Sequence, residues 1–280
     1  MILKNQVHHR TSNKPIVWDA YFKSDGVKKP LVIFCHGYKG FKDWGSWNLV
    51  AKTFSEYNLF FVKFNFSHNG GTPENPIDFP DLEAFAENNY SKELNDLDDM
   101  LNMLISENFK YKNEIDICSI TLIGHSRGGG ISILKASRDS RITKLITWAS
   151  VSDFGSRFGT VEDINQWKKN GVKYVLNGRT KQQMPHHFQF FEDFKANEKR
   201  LNIKQATETL NIPFLIIHAQ GDASVKPIEA DKLHTWNSNS ELYNVEGSNH
   251  VFDASHPWKG TELPKSLNLV VEKSIYFIKN

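Results

Sequence analysis

Short runs dense in β-branched and aromatic residues alternate along the chain with longer stretches whose apolar positions recur every three or four residues. The first kind reads as strands: Ile16 to Phe22, Leu31 to Cys35, Leu59 to Phe66, Ile117 to Ile123, Leu145 to Ala149, Phe214 to His218 and Glu241 to Val245. Runs that are apolar throughout, such as Leu31 to Cys35, predict strands buried on both faces of a parallel sheet. Ile16 to Phe22 predicts part of an antiparallel edge. The second kind reads as helices: Trp47 to Tyr57, Ser91 to Asn108, Gly128 to Ala136, Pro227 to Trp236 and Pro264 to Ile278. In Ser91 to Asn108 the residues Leu94, Leu97, Leu101, Leu104 and Ile105 form one stripe, as a helix with one buried face requires. Strands alternating with helices are the mark of βαβ units. The expected fold class is α/β, a mostly parallel central sheet flanked by helices.

One interval breaks this rhythm. Between Ser150 and Phe214 lie about sixty residues, well beyond a loop plus one helix. The expected organisation is therefore a core of residues 1–152 and 212–280 with an insertion, 153–211. Such an insertion would sit over the carboxyl ends of the strands, where open α/β sheets bind ligands. It contains Trp167, Tyr174, Phe188, Phe190, Phe191 and Phe194 beside His186 and His187. It reads as a cap with an aromatic-accepting underside, although each aromatic taken singly reads equally well as packing of the insertion's own small core.

Composition changes this picture only by exclusion. The formal net charge is +2 with lysines scattered rather than clustered, so there is no electrostatic footprint for nucleic acid. No stretch approaches the ~18 apolar residues that would span a bilayer. Met1 to Lys14 is polar and lacks the apolar core of a secretion signal, so no membrane partner and a cytoplasmic location are expected. Cys35 and Cys118 both fall in expected core strands and read as reduced, buried small hydrophobes.

The chemistry enters at residues 120–130, Ile-Thr-Leu-Ile-Gly-His-Ser-Arg-Gly-Gly-Gly. An apolar strand runs into Gly124-His125-Ser126-Arg127-Gly128 and then into a helix. A serine hydroxyl is a poor nucleophile unless the backbone presents it openly and a neighbour takes its proton. A sharp strand-to-helix turn presents it, and presses strand on helix so closely that the positions two before and two after must be small. The proton acceptor and its orienting acid are expected beyond later strand ends, in the order Ser, Asp, His. Phe214 to His218 runs into Ala-Gln-Gly-Asp222, and Glu241 to Val245 into Glu-Gly-Ser-Asn-His250. Asp222 is the expected acid and His250 the expected base. Asp153 and His256 are the rivals for these roles.

A developing oxyanion needs two backbone N–H groups aimed at one point. Arg127 opens a helix, where amides lack intrahelical partners. The loop His36-Gly37-Tyr38-Lys39-Gly40 after the central strand offers Tyr38, with Gly37 free to turn the amide inward and His36 expected to brace the loop.

Together the His-Gly loop, Gly-His-Ser-Arg-Gly-Gly, Gly-Asp and Asn-His segments resemble the α/β-hydrolase superfamily across about residues 15–280. Within it the chain is most similar to dienelactone-hydrolase-like and serine-aminopeptidase-like esterases. The resemblance implies an α/β-hydrolase fold with a cap insertion after the sixth strand. It implies a triad of Ser126, Asp222 and His250, oxyanion donors at Tyr38 and Arg127, a small-molecule ester substrate, and no cofactor. His8-His9 and His186-His187 lack metal-ligand spacing, so no metal is expected. Where the aminopeptidase-like branch carries Asp-x-Arg-Gly-x-Gly-x-Ser, this chain reads Asn65-Phe-Ser67-His68-Asn-Gly-Gly-Thr72, which lacks the Asp and Arg. A serine rather than cysteine nucleophile departs from true dienelactone hydrolases. The expected activity is carboxylesterase. The alternatives are an aminopeptidase or prolyl-type peptidase, for which Glu83 and Glu87 lie in a plausible approach loop, and a non-catalytic binding protein on the same fold.

Overall fold

A computed structural model describes residues 1–11 and 13–280. Its strands are β1 Ile2–His8, β2 Ile16–Tyr21, β3 Lys29–Cys35, β4 Phe60–Phe64, β5 Ile115–His125, β6 Lys144–Trp148, β7 Val172–Leu176, β8 Gln183–His187, β9 Phe214–Ala219 and β10 Glu241–Val245. Its helices are α1 Trp47–Glu56, α2 Leu82–Ala86, α3 Tyr90–Ile105, α4 Arg127–Ala136, α5 Val161–Asn170, α6 Gln189–Ala196, α7 Ile203–Glu208, α8 Ile228–Trp236 and α9 Lys265–Lys279.

Eight strands form one sheet in the order β1-β2-β4-β3-β5-β6-β9-β10. From β4 to β10 neighbours are parallel, while β2 pairs antiparallel with β4 and β1 antiparallel with β2. The antiparallel end was expected; its outermost strand, β1, was not. Its residues are mostly exposed and polar, so β1 carries no hydrophobic period by which to read it.

The central strands β3, β4 and β9 are buried almost throughout because both faces of the sheet are covered. On one face Trp47, Val50 and Phe54 of α1 and Leu267, Val270 and Val271 of α9 pack against Val32, Phe34, Ile146 and Leu215. On the other, Leu97 and Leu101 of α3, Ile131 of α4, Ile203 of α7 and Leu233 of α8 pack against Leu31, Ile33, Leu122 and Ile216. Removing this apolar area from water at ~25 cal/mol per Å² is the main driving term for the fold.

The segment 153–211 follows β6 and holds α5, the two-stranded antiparallel sheet β7-β8, α6 and α7. Gly171, in the left-handed region at φ 73°, ends α5 and turns the chain straight into β7, a geometry a side chain would strain. Trp167 and Phe191 pack on Phe158 inside this segment, Phe188 packs on Trp167 and Phe191, and Phe194 packs on Phe158 and Tyr90. Tyr174 is exposed.

Cys35 is buried, as expected, but Cys118 is exposed. The pairing of β5 with β3 jumps from Asp116 opposite Pro30 to Ile120 opposite Leu31. The intervening residues bulge out of the ladder into solvent, and Cys118 goes with them. Among the described residues no helix is long and apolar enough to cross a membrane.

Candidate active site

The carboxyl ends of β5, β9 and β10 converge on one point. At the end of β5 the chain turns into α4 through Ser126, whose φ of 58° and ψ of −119° put it in backbone space that costs a non-glycine residue ~1–3 kcal/mol. The turn is held by Ser126 N–H donating to the Trp148 carbonyl at 2.9 Å. It leaves no room behind it. A Cβ on Gly128 would lie 2.3 Å from the Cys35 carbonyl oxygen and 2.5 Å from that of His36, so α4 reaches β3 only because residue 128 has no side chain.

Beyond β9, Asp222 sits at the head of a tight loop. Its Oδ1 accepts the N–H groups of Ser224 at 2.8 Å and Val225 at 2.9 Å, which fixes the carboxylate and leaves Oδ2 facing His250. His250 Nδ1–H donates to that oxygen at 2.7 Å. With its proton committed there, Nε2 is the acceptor for Ser126 Oγ–H at 3.0 Å. Gly221 N–H donates to the Ser248 carbonyl at 3.0 Å, tying the two loops together. Burial of Asp222 alone would raise its carboxyl. The neighbouring imidazoles of His218 and His250 outweigh that and hold it well below the usual carboxylate range.

The rivals are elsewhere. Asp153 caps its own turn, accepting from Gly155 N–H at 3.0 Å and Ser156 N–H at 2.7 Å. His256 Nδ1 accepts from Gly45 N–H at 2.8 Å and stacks on Trp44. His36 braces its loop: Nδ1–H donates to the Gly37 carbonyl at 2.9 Å, and Nε2 accepts from Phe66 N–H at 3.2 Å. Burial pushes its imidazole down to about 4, so it stays neutral.

Arg127 and Tyr38 both line the cavity that opens on Ser126. The Arg127 amide is the first of α4 and has no acceptor within the helix. Gly37 is needed for a reason different from the expected one. It has no left-handed φ, but its Cβ would meet Ser126 Cβ at 2.8 Å. The loop carrying Tyr38 passes directly against the serine.

Two cavities meet at Ser126. One, of about 500 Å³, is walled by Tyr90, Phe154, Phe158 and Phe190. The other, of about 120 Å³, lies toward Trp44 and Trp47. Tyr38, Lys39, Ser126 and His250 border both. Of the six insertion aromatics singled out from the sequence, Phe190 alone reaches the larger cavity; His186 does too, sharing a 2.7 Å hydrogen bond with the Tyr38 hydroxyl.

Several residues at the site were not read from the sequence. His125 Nε2–H donates to the His250 carbonyl at 2.9 Å. His218 Nε2–H donates to the Val225 carbonyl at 2.8 Å and lies 3.4 Å from Asp222 Oδ2. Glu93 of α3, 3 % exposed, pairs with the Arg127 guanidinium at 3.2 Å, whose faces also meet Tyr38 and Tyr90. Glu93 and His218 had a legible signal, a polar residue inside an apolar stripe or strand. His125 had none. Glu83 and Glu87 lie apart from both cavities, near His187, with ligand atoms of the three within 4.8 Å of one another.

No protein-family model matches the chain, and no curated protein matches it in sequence. Solved structures do. Est1E from Butyrivibrio proteoclasticus superposes with a TM-score of 0.71 at 16% identity, covering 96% of each chain. The alpha/beta hydrolase GrgF from Penicillium sp. sh18 gives 0.69 at 14% identity over 98% of this chain and 96% of its own. A putative dienelactone hydrolase from Klebsiella pneumoniae gives 0.61 at 13% identity over 96% of this chain and 95% of its own. The chain has the α/β-hydrolase fold. In this α/β-hydrolase-fold chain, the Ser126 turn, the Asp222 loop and the His250 loop occupy the carboxyl edge of the sheet, with the 153–211 segment above them.

Proposed function

We propose that this protein is a serine hydrolase of the carboxylesterase type, with Ser126 as nucleophile, His250 as general base and Asp222 as the acid that orients it. The observation that carries this reading is the unbroken chain from Ser126 Oγ to His250 at 3.0 Å and from His250 to Asp222 at 2.7 Å, aimed into a cavity of about 500 Å³. In the proposed reaction His250 Nε2 takes the Ser126 proton as Oγ attacks the ester carbonyl. The amides of Tyr38 and Arg127 hold the resulting oxyanion, each worth on the order of 2.7–4 kcal/mol. Protonated His250 then gives its proton to the departing alkoxide, leaving an acyl-serine. Water, deprotonated by the same imidazole, releases the acid and restores Ser126.

In this reading residues 153–211 form a cap over the core of 1–152 and 212–280. Phe154, Phe158 and Phe190 supply its apolar underside, which suits an acyl or aryl group of a small-molecule ester. An aminopeptidase would need a carboxylate to receive the substrate's ammonium. Among the described residues neither cavity has an acidic lining residue, which favours esters. The test is turnover of p-nitrophenyl acetate, alongside an aminoacyl-anilide, by the parent and by Ser126→Ala. Ester hydrolysis and fluorophosphonate labelling should both vanish in the variant. Near-parental turnover by Ser126→Ala overturns the reading.

A further inference from the structure

The larger cavity is unusual in its charge. Four cationic side chains border it, Lys39, Arg127, Arg157 and Lys173, and no anionic one does among the described residues. Two of the four are neutralised from behind: Arg127 by Glu93 at 3.2 Å, and Arg157 by Glu229. Lys39 and Lys173 are different. Each is half-buried, and among the described residues neither ammonium is in an ion pair. Lys39 lies 5.1 Å from the centroid of the Tyr38 ring and Lys173 3.9 Å from that of Trp167. These are aromatic walls rather than carboxylates. The carboxylate whose field reaches Lys173, Asp163, has its Oδ2 engaged by Thr160 N–H and Oγ–H at the start of α5.

Partial burial lowers both ammonium groups below the ordinary lysine value, Lys173 in spite of the opposing field of Asp163. Both belong to the wall around buried His186: Lys173 is its pairing partner across the β7–β8 ladder, and Tyr38, the neighbour of Lys39, shares a hydrogen bond with its ring. Holding unpaired cations in a half-dry, apolar cavity costs stability that a bound anion would return. Lys39 is also held in left-handed backbone at φ 54°, a position where glycine or asparagine would be less strained.

We propose that the larger cavity selects esters carrying a carboxylate, whose charge is received between Lys39 and Lys173 while its hydrocarbon or aryl body lies on Tyr90, Phe154 and Phe190. This rests on the serine-hydrolase reading for the chemistry but not for the binding. The specificity-determining residues are then Lys39 and Lys173. The lysines act on binding and orientation; no bond to them is made or broken.

Two matched pairs of substrates test it. Mono-4-nitrophenyl adipate against 4-nitrophenyl hexanoate places the carboxylate on the acyl side. 4-Acetoxybenzoate against 4-acetoxybenzamide places it on the alcohol side. The parent should prefer the anion in at least one pair by ~10-fold in kcat/KM, the scale of one charge-assisted contact. Lys39→Met and Lys173→Met should each pull that ratio toward one, Lys173→Arg should keep it, and 0.5 M salt should reduce it. Equal or reversed preference in both pairs, or a ratio untouched by both methionine variants, overturns the proposal. Calorimetric binding of the same adipate and hexanoate esters to Ser126→Ala separates the two readings. Preferential anion binding with no turnover by the parent would sink the esterase reading and keep this one; equal binding of the two esters, with the acetoxy pair also undiscriminated, sinks this one.

Discussion

His125 Nε2–H donates to the backbone carbonyl of His250 at 2.9 Å, so the residue just before Ser126 fastens the loop that carries His250. Burial beside the His250 ring drives the His125 imidazole down to about 3, and a neutral ring with its proton on Nε2 is what a carbonyl acceptor requires. His125→Phe keeps the ring against Trp47, whose centroid is 5.6 Å away, and removes the tether. One hydrogen bond of ~0.5–1.5 kcal/mol corresponds to a ~2–13-fold fall in kcat, with KM little changed. A parental kcat in this variant would show that the loop holds itself.

Asp222→Asn should cost far more. The amide can still accept from Ser224 and Val225 through Oδ1, but it presents N–H to His250 Nδ1, moves the imidazole proton to Nε2 and blocks acceptance from Ser126. Where this has been done to an equivalent triad the loss of kcat is ~10⁴-fold. Steady-state hydrolysis of p-nitrophenyl acetate reads it; a loss under tenfold would leave Asp222 without the orienting role.

Two glycines should fail in different ways. Gly128→Ala places a Cβ 2.3 Å from a main-chain oxygen of β3, where only a shift of α4 gives relief. Overpacking of this kind costs ~1–3 kcal/mol, read as a lower urea midpoint. Gly37→Ala presses on Ser126 Cβ at 2.8 Å and the His125 carbonyl at 3.2 Å, so kcat/KM should fall more steeply than stability. Equal behaviour of the two variants in both assays would contradict this division.

His186, His36 and His125 are all buried and neutral, pushed down to about 3, 4 and 3 chiefly by burial. Below pH ~6.5 the unfolded chain binds protons at these positions that the folded chain does not, so each removes stability as pH falls toward its folded value. Asp96, pushed up to about 6 by burial, and Glu93, raised for the same reason, act in the opposite sense over part of that range. Asp222, held low, adds its loss only below pH ~4. The informative measurement is therefore a difference. Between pH 6.5 and 4, His186→Phe should lose stability less steeply than the parent, by up to ~1.4 kcal/mol per pH unit. Parallel urea curves for the two proteins would remove His186 from the balance.

Much of this architecture was legible because the sheet is buried on both faces. The runs at Leu31, Leu145 and Phe214 must be apolar throughout to lie between two helical layers, and they announce themselves. Where burial is one-sided or slight, the signal goes. β1 is an exposed polar edge, and β8 reads Gln-Met-Pro-His-His, with proline and histidine where a strand pattern would look for valine. The bulge that exposes Cys118 depends on the register against β3, a relation between segments nearly ninety residues apart that no local period encodes.

The sequence by itself determined the order of the buried core strands and the helices that cover them, and the turn chemistry that places Ser126, Asp222 and His250 each just past a strand, since these are local consequences of spacing and backbone permissiveness. Tertiary structure alone decided that those three meet in hydrogen-bonding contact, that His125 and His218 brace them, and that Lys39 and Lys173 face one cavity with no ion-pair partner among the described residues. Distances between remote segments are set by how layers pack, and packing is a property of the whole chain rather than of any window along it.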